Sequence, residues 1–205
     1  KLAMLVEVGQ ALTGTLNLQA GLYDVLEVLQ RRCDALRGAV TLLEDDSGML
    51  VVEAALGYPR PAGRIRYRMG EGVTGMVAQS GAPAVVPRVS REPRFLHRAA
   101  ARGQREEEIT FICVPITLDG ATVGTLAIEE RYVPGREADR TVHALRIAAG
   151  MIAQGLRIQR LVDIERRKLV EENTQLRQEL QERYEFDHII GNSGPMRRVY
   201  EQVSQ

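Results

Sequence analysis

Tryptophan is absent from this 205-residue chain, cysteine and lysine occur twice each, and histidine three times. Each shortage closes a class of function. Cys33 and Cys113 stand far apart with no paired spacing, so neither a disulfide framework nor a four-ligand zinc site can be drawn from them. His97, His143 and His188 lack a second ligand at metal-binding spacing and are expected to be structural or solvated. The lysines are Lys1 and Lys168, the latter directly after Arg167. A phosphate-cradling P-loop needs its lysine just after a glycine-rich turn, and that arrangement is missing. No Gly-x-Ser-x-Gly elbow or triad spacing occurs either. Catalysis by this chain is therefore not expected, and no metal is assigned.

Long hydrophobic runs are also missing. None reaches the ~18 residues that a membrane-spanning helix requires. The N-terminal KLAMLVEVGQ carries one cation, an early Glu7 and no small-residue cleavage pattern, unlike a signal peptide. A soluble cytoplasmic protein without a membrane partner is the expectation. Aromatic residues make up only 4%, yet 44% of the chain is hydrophobic, enough for a real core.

Net charge is the last absence. The chain has 27 Lys+Arg against 27 Asp+Glu, which argues against a surface built throughout to hold nucleic acid. The zero conceals a partition. Residues 58–105 hold ten Arg against Glu71 and Glu92, a net +8, whereas residues 1–57 and residues 106–153 each set four basic residues against eight acidic ones. Twenty-five of the 27 cations are Arg, whose planar fork holds carboxylate or phosphate.

Periodicity organises the rest. Leu2, Leu5, Val6, Val8 and Leu12 predict a short amphipathic helix over residues 1–13. A second helix is expected from about Ala20 to Arg37, with Gly38 as its stop. Two apolar runs around Asp45-Asp46-Ser47-Gly48 read as a β-hairpin, and Gly63 to Met69 as a half-exposed strand. Gly70, Gly72, Gly75 and Gly81 punctuate a short helix, Val73 to Gln79, before a brief strand Ala84 to Val86. Between residues 88 and 108, Arg91, Arg94, Arg98, Arg102 and Arg105 would share one face of a helix. Ile109 to Leu118 and Thr122 to Glu130 flank Asp119-Gly120, a strong hairpin signal.

From Ala138 a helical period runs for more than 40 residues without proline. Leu169 and Leu176 fit heptad d positions, with Asn173 and Leu180 at a. Met151, Gly155, Ile158 and Val162 fit another register, and Glu165 falls where the two should join. A parallel two-stranded coil, its register fixed by a polar a position, is one reading; a solvated monomeric helix is the other.

Gly70-Glu71-Gly72-Val73-Thr74-Gly75 and the closing hairpin FICVPITLDGATVGTLAIE (Phe111 to Glu129) resemble a GAF domain. That resemblance implies an α+β fold, a mainly antiparallel sheet flanked by helices, with a long C-terminal coiled-coil signalling helix. The implied organisation is an N-terminal dimerisation helix (1–13), a GAF sensor domain (18–153), a linker helix (154–186) and the start of an ATPase domain (187–205). Phe186 to Tyr200, FDHIIGNSGPMRRVY, is similar to the opening of the central ATPase domain of sigma-54-dependent transcription activators. Arg91 to Arg98 (REPRFLHR) and ITFICVPI are similar to segments of the Nif-specific regulatory proteins within that group. The Asn-Lys…Phe…Asp-Glu signature of cyclic-nucleotide GAF domains and the cysteine cluster of iron-sulfur-regulated relatives are both missing.

In such domains the pocket lies between the sheet and the segment joining its third and fifth strands, here the basic stretch. The resemblance then implies that Arg88, Arg91, Arg94, Arg98 and His97 hold a small anionic effector such as 2-oxoglutarate, with Phe95 and Met76 as walls. The same arginines could instead dock an acidic partner, an anti-activator or a PII-type signal protein. Met151, Ile158, Val162, Glu165, Leu169, Asn173, Leu176 and Leu180 would carry the signal through a homodimer to ATPase domains that engage sigma-54 RNA polymerase and DNA, with the Glu165 mismatch as a bistable point. A purely structural dimeriser, or a GAF-type redox enzyme using Cys33 and Cys113 as a pair, are the alternatives.

Overall fold

Side chains alternate across a β-strand, and in this protein that alternation sorts two unlike cores onto the two faces of one sheet. The computed structural model describes residues 2–15, 17–58, 65–96, 108–185 and 202. They belong to two units, residues 1–159 and residues 160–205, each described by itself.

In the first unit the order is α1 (Leu2–Thr13), α2 (Leu18–Cys33), β1 (Arg37–Leu43), β2 (Leu50–Leu56), β3 (Arg66–Tyr67), α3 (Gly72–Ser80), β4 (Ala84–Val86), β5 (Ile109–Leu118) and β6 (Ala121–Arg131). The helix α4 (Asp139–Glu185) begins in the first unit and ends in the second. The six strands form one antiparallel sheet in the order β3-β2-β1-β6-β5-β4. The Asp119-Gly120 turn takes positive φ at both residues, 51° and 83°, the geometry that matches strand twist in a two-residue hairpin.

Val40, Ile112, Val114, Ile116, Leu126 and Ile128 turn to one face, where they pack with Leu22, Leu26 and Leu29 of α2 and Leu145 and Ile152 of α4. Phe111, Cys113 and Ala127 turn to the other, against Val73 and Val77 of α3. A β-bulge keeps β2 in step with this division. Val40 pairs with Ala54 and Thr41 with Val52, leaving Glu53 as the extra residue. Ala54 therefore joins the helix-side core, while Val52 and Ala55 turn to the α3 side.

Two expectations are revised. The second helix begins at Leu18, capped by the Asn17 side chain accepting from the Ala20 N–H at 3.3 Å, and ends at Cys33. Asp34 turns left-handed there and Leu36 donates to the Glu129 carbonyl at 2.7 Å, so the chain enters the sheet and Gly38 lies inside β1. The predicted arginine helix is a single 3₁₀ turn, Val89–Arg91, followed by non-helical backbone through residue 96; Arg98, Arg102 and Arg105 lie outside the described residues. Part of the apolar face of α1 packs within its own chain, while Val6 is 52% exposed. Met4 and Val8 are buried, and a Cβ on Gly9 would stand 3.1 Å from Met151 of α4.

In the second unit residues 160–180 are helical and exposed, held locally by contacts such as Gln175 Nε2 to Glu179 Oε1 at 3.1 Å. Among the described residues no helix is long and apolar enough to cross a membrane.

Candidate functional site

Small residues on the α3 face of the sheet leave a hollow. Ala39 and Thr41 of β1, Ala55 of β2, and Thr125 and Ala127 of β6 form a low floor; Gly72, Val73 and Thr74 of α3 form one wall, and Tyr58, Ile65 and Tyr67 another. Phe95, Leu96 and Phe111 close the space, a cavity of about 50 Å³, with the Phe95 and Phe111 rings edge to face at 4.9 Å. The Thr41 and Thr125 hydroxyls share one hydrogen bond at 2.7 Å beneath it.

One end of the cavity is charged. Glu129 brings a carboxylate that is only 5% exposed, and Arg37 Nη1 donates to its Oε2 at 2.9 Å. The Tyr58 hydroxyl donates to Oε1 at 3.3 Å, and the Arg37 guanidinium lies 5.8 Å from the Tyr58 ring centroid. Burial first, then the adjacent Glu129 charge, pushes the Tyr58 phenol well above the usual tyrosine range, so it remains a donor. The lining among the described residues is thus apolar with small hydroxyls and one neutralised acid, and it contains no cationic side chain. Such a surface suits a small molecule that accepts or donates one or two hydrogen bonds.

The next residue, Glu130, turns the opposite way. Its carboxylate is 4% exposed and lies 3.7 Å from Arg136 Nη2, and Oε2 has no hydrogen-bond partner among the described residues. Burial raises its pKa, the Asp34 charge adds to that, and Arg136 opposes it. A carboxyl raised in the folded state binds its proton more tightly there than when unfolded, so it stabilises at low pH and that stability is lost as pH rises through the folded value. Glu130→Gln is therefore expected to raise the thermal midpoint at pH 7.5 and to leave it nearly unchanged at pH 4, measured by circular dichroism.

Of the residues expected to hold an anion, Phe95 lines the cavity and the other described ones stand outside its lining. Arg88 stacks on the Tyr132 ring at 4.5 Å and donates to its hydroxyl at 3.1 Å. Arg94 is paired with Glu92 at 2.7 Å and touches the Met76 sulfur at 3.7 Å, while Arg91 is exposed. His97 and Arg98 lie outside the described residues. On the helix, Met151 packs against Gly9, Ile158 is 61% exposed, and Val162, Glu165, Leu169, Asn173, Leu176 and Leu180 are exposed. Cys113 is fully buried in the α3-side core, its thiol pushed up to about 12 by burial; Cys33 packs at the helix-side core. The two thiols thus lie in the cores of opposite sheet faces, which removes the pairing that a redox-enzyme reading required.

The polar residues that sequence reasoning missed are Arg37, Tyr58 and Glu129. A signal for Glu129 was present: Thr125, Ala127 and Glu129 alternate on one strand face, two small residues leading to an acid. Its partner Arg37 is 92 positions away, and nothing local connects them.

Residues 17–156 match the GAF domain family. The whole chain aligns at 34% identity with the nitrogen fixation protein VnfA of Azotobacter vinelandii, covering 40% of it, and at 36% with the Nif-specific regulatory protein of Herbaspirillum seropedicae, covering 38%. The chain therefore spans about two-fifths of these curated relatives. Among solved structures, the A. aeolicus nlh2 GAF domain in an inactive state is similar with a TM-score of 0.67 at 20% identity, over 77% of this chain and 96% of that one. The free methionine-R-sulfoxide reductase of Neisseria meningitidis is similar with 0.65 at 19%, over 78% and 89%. At these identities the structural likeness concerns the fold.

Proposed function

The chain belongs to the GAF domain family, and from that premise we propose that it is the regulatory input domain of a sigma-54-dependent activator of nitrogen-fixation genes. The names of relatives such as the Nif-specific regulatory proteins of Herbaspirillum seropedicae and Azospirillum brasilense support a regulatory role. The observation that carries the reading is the two-sidedness of β6. Thr125, Ala127 and Glu129 face the cavity, while Leu126 and Ile128, between them, pack in the core that holds Leu145 to Ala153 of α4. A ligand that changes the cavity presses on the same strand that seats the first turns of α4. Such a ligand biases the output only by its difference in affinity between two states of that seat, typically ~1–3 kcal/mol of coupling.

In this reading α4 pairs with a second copy, and the pair passes the change to an ATPase domain; contacts with sigma-54 RNA polymerase and DNA belong to other parts of such an activator. The outward Arg91 and Arg94, the latter with its side chain 63% exposed, support a second input at the outer surface, the docking of an acidic partner such as an anti-activator or PII-type signal protein.

Ala127→Val in the full-length activator tests the cavity. Transcription is expected to lose its dependence on the effector signal while the melting profile stays close to that of the parent. A dose-response curve identical to the parent's would defeat the reading. Calorimetric titration with 2-oxoglutarate, repeated on Arg94→Ala, separates an effector held in the cavity from one held at the outer surface, since Arg94 stands outside the cavity lining. Heat abolished by Arg94→Ala would move the effector site to the outer surface.

A further inference from the structure

Where β6 ends and the chain turns toward α4, a second hollow lies on the sheet face opposite the Thr41–Glu129 cavity. Thr110 and Glu130 are register partners across β5 and β6, so their side chains stand together on the helix side. They share a cavity of about 140 Å³ whose walls include Val85, Pro87, Val133 and Ala138, the residue just before α4. Glu130 lies at its floor, 4% exposed, and Arg136 at its rim, 42% exposed. The acid is short of partners. The 3.7 Å between Arg136 Nη2 and Glu130 Oε2 is too long for a hydrogen bond, and Oε2 receives none from any described residue. Buried polar atoms in that condition are rare, and a carboxylate oxygen in an otherwise apolar hollow calls for a donor. The Thr110 hydroxyl donates to the Pro87 carbonyl at 2.9 Å, so its oxygen can still accept.

The two charges narrow the ligand. A simple ammonium suits Glu130 but meets the like charge of Arg136, and a simple carboxylate suits Arg136 but meets Glu130. A molecule with both charges on neighbouring atoms answers both. We propose that this hollow binds a small apolar α-amino acid, its ammonium held by Glu130 and Thr110, its carboxylate by the Arg136 fork, and its side chain against Val85 and Val133. The negative charge of Asp34, near Glu130, favours the ammonium at the inner end, and the planar guanidinium at the rim matches a carboxylate with two parallel hydrogen bonds. The site goes beyond the effector-cavity reading and does not depend on it. An amino acid seated here ties β6 to the connection that leads into α4, so its occupancy acts on the root of that helix directly.

Calorimetric titration of the whole chain with glycine, L-alanine and L-valine tests this, with the tightest binding expected for L-valine. Isobutylamine and isovalerate, which are valine without its carboxylate and without its ammonium, are each expected to bind at least about tenfold more weakly. Isobutylamine binding as tightly as valine would show a plain cation site and overturn the amino-acid assignment. Glu130→Gln and Arg136→Gln are each expected to weaken valine about tenfold or more, whereas Ala127→Val, on the opposite sheet face, should leave its affinity within about twofold of the parent. A melting profile for each variant shows that it is folded. Valine binding that survives both Glu130→Gln and Arg136→Gln but is lost in Ala127→Val would place the amino acid in the Thr41–Glu129 cavity and overturn the proposal. No heat with any of the three amino acids would overturn it outright. The transcriptional response of Ala127→Val judges the other cavity separately, so failure at one site leaves the other standing.

Discussion

Glu129→Ala is expected to cost the first unit about 3–5 kcal/mol, the range found when one member of a buried ion pair is removed. The magnitude comes from what remains. Arg37, only 19% exposed, keeps its charge and loses the carboxylate that neutralised it, and the Tyr58 hydroxyl loses its acceptor. Glu129→Gln should cost less, since an amide oxygen still accepts from Tyr58. Replacing both charged partners by apolar residues of similar size, Arg37→Met with Glu129→Leu, should recover most of the loss, because it leaves no uncompensated charge. Urea unfolding with unchanged m-values is the measurement. Single and double variants of equal stability would mean that the pair is not coupled.

The second large effect is steric. A Cβ built on Gly124 would lie 2.2 Å from the Thr41 carbonyl and 2.9 Å from Leu42 Cδ2, so Gly124→Ala forces β1 and β6 apart beside the buried Thr41–Thr125 pair. A loss above about 3 kcal/mol is expected, or no folded protein at all. Gly120→Ala is the control. Its φ of +83° brings strain of about 1 kcal/mol, but the added methyl meets nothing within 4 Å. If the two variants melt alike, the close approach of the central strands is not what Gly124 provides.

What could be read from the residues was local. Asp119-Gly120 between alternating strands announced β5 and β6, the glycine-punctuated run announced α3 within a residue at each end, and the proline-free stretch announced α4. The end of α2 was misplaced because the apolar period runs through Leu36, while the hydrogen bond that draws Leu36 into the sheet comes from Glu129, far along the chain. The arginine spacing suggested a helix, yet Pro93 and the Arg94–Glu92 pairing belong to non-helical backbone. The polar end of the cavity was hidden for the same reason as the end of α2. It exists only once β1 has paired with β6, and no window of sequence contains both Arg37 and Glu129.

The adjacent acids Glu129 and Glu130 also act as a rivet through the sheet. Because side chains alternate, a one-residue slip of β6 would carry the Arg37-bound carboxylate into the helix-side core and thrust Ile128 into the cavity. Each acid meets an arginine on its own face, Arg37 on one and Arg136 on the other. Any push delivered by a ligand must therefore tilt or translate β6 as a whole, since sliding it by one position would break both of these unions at once.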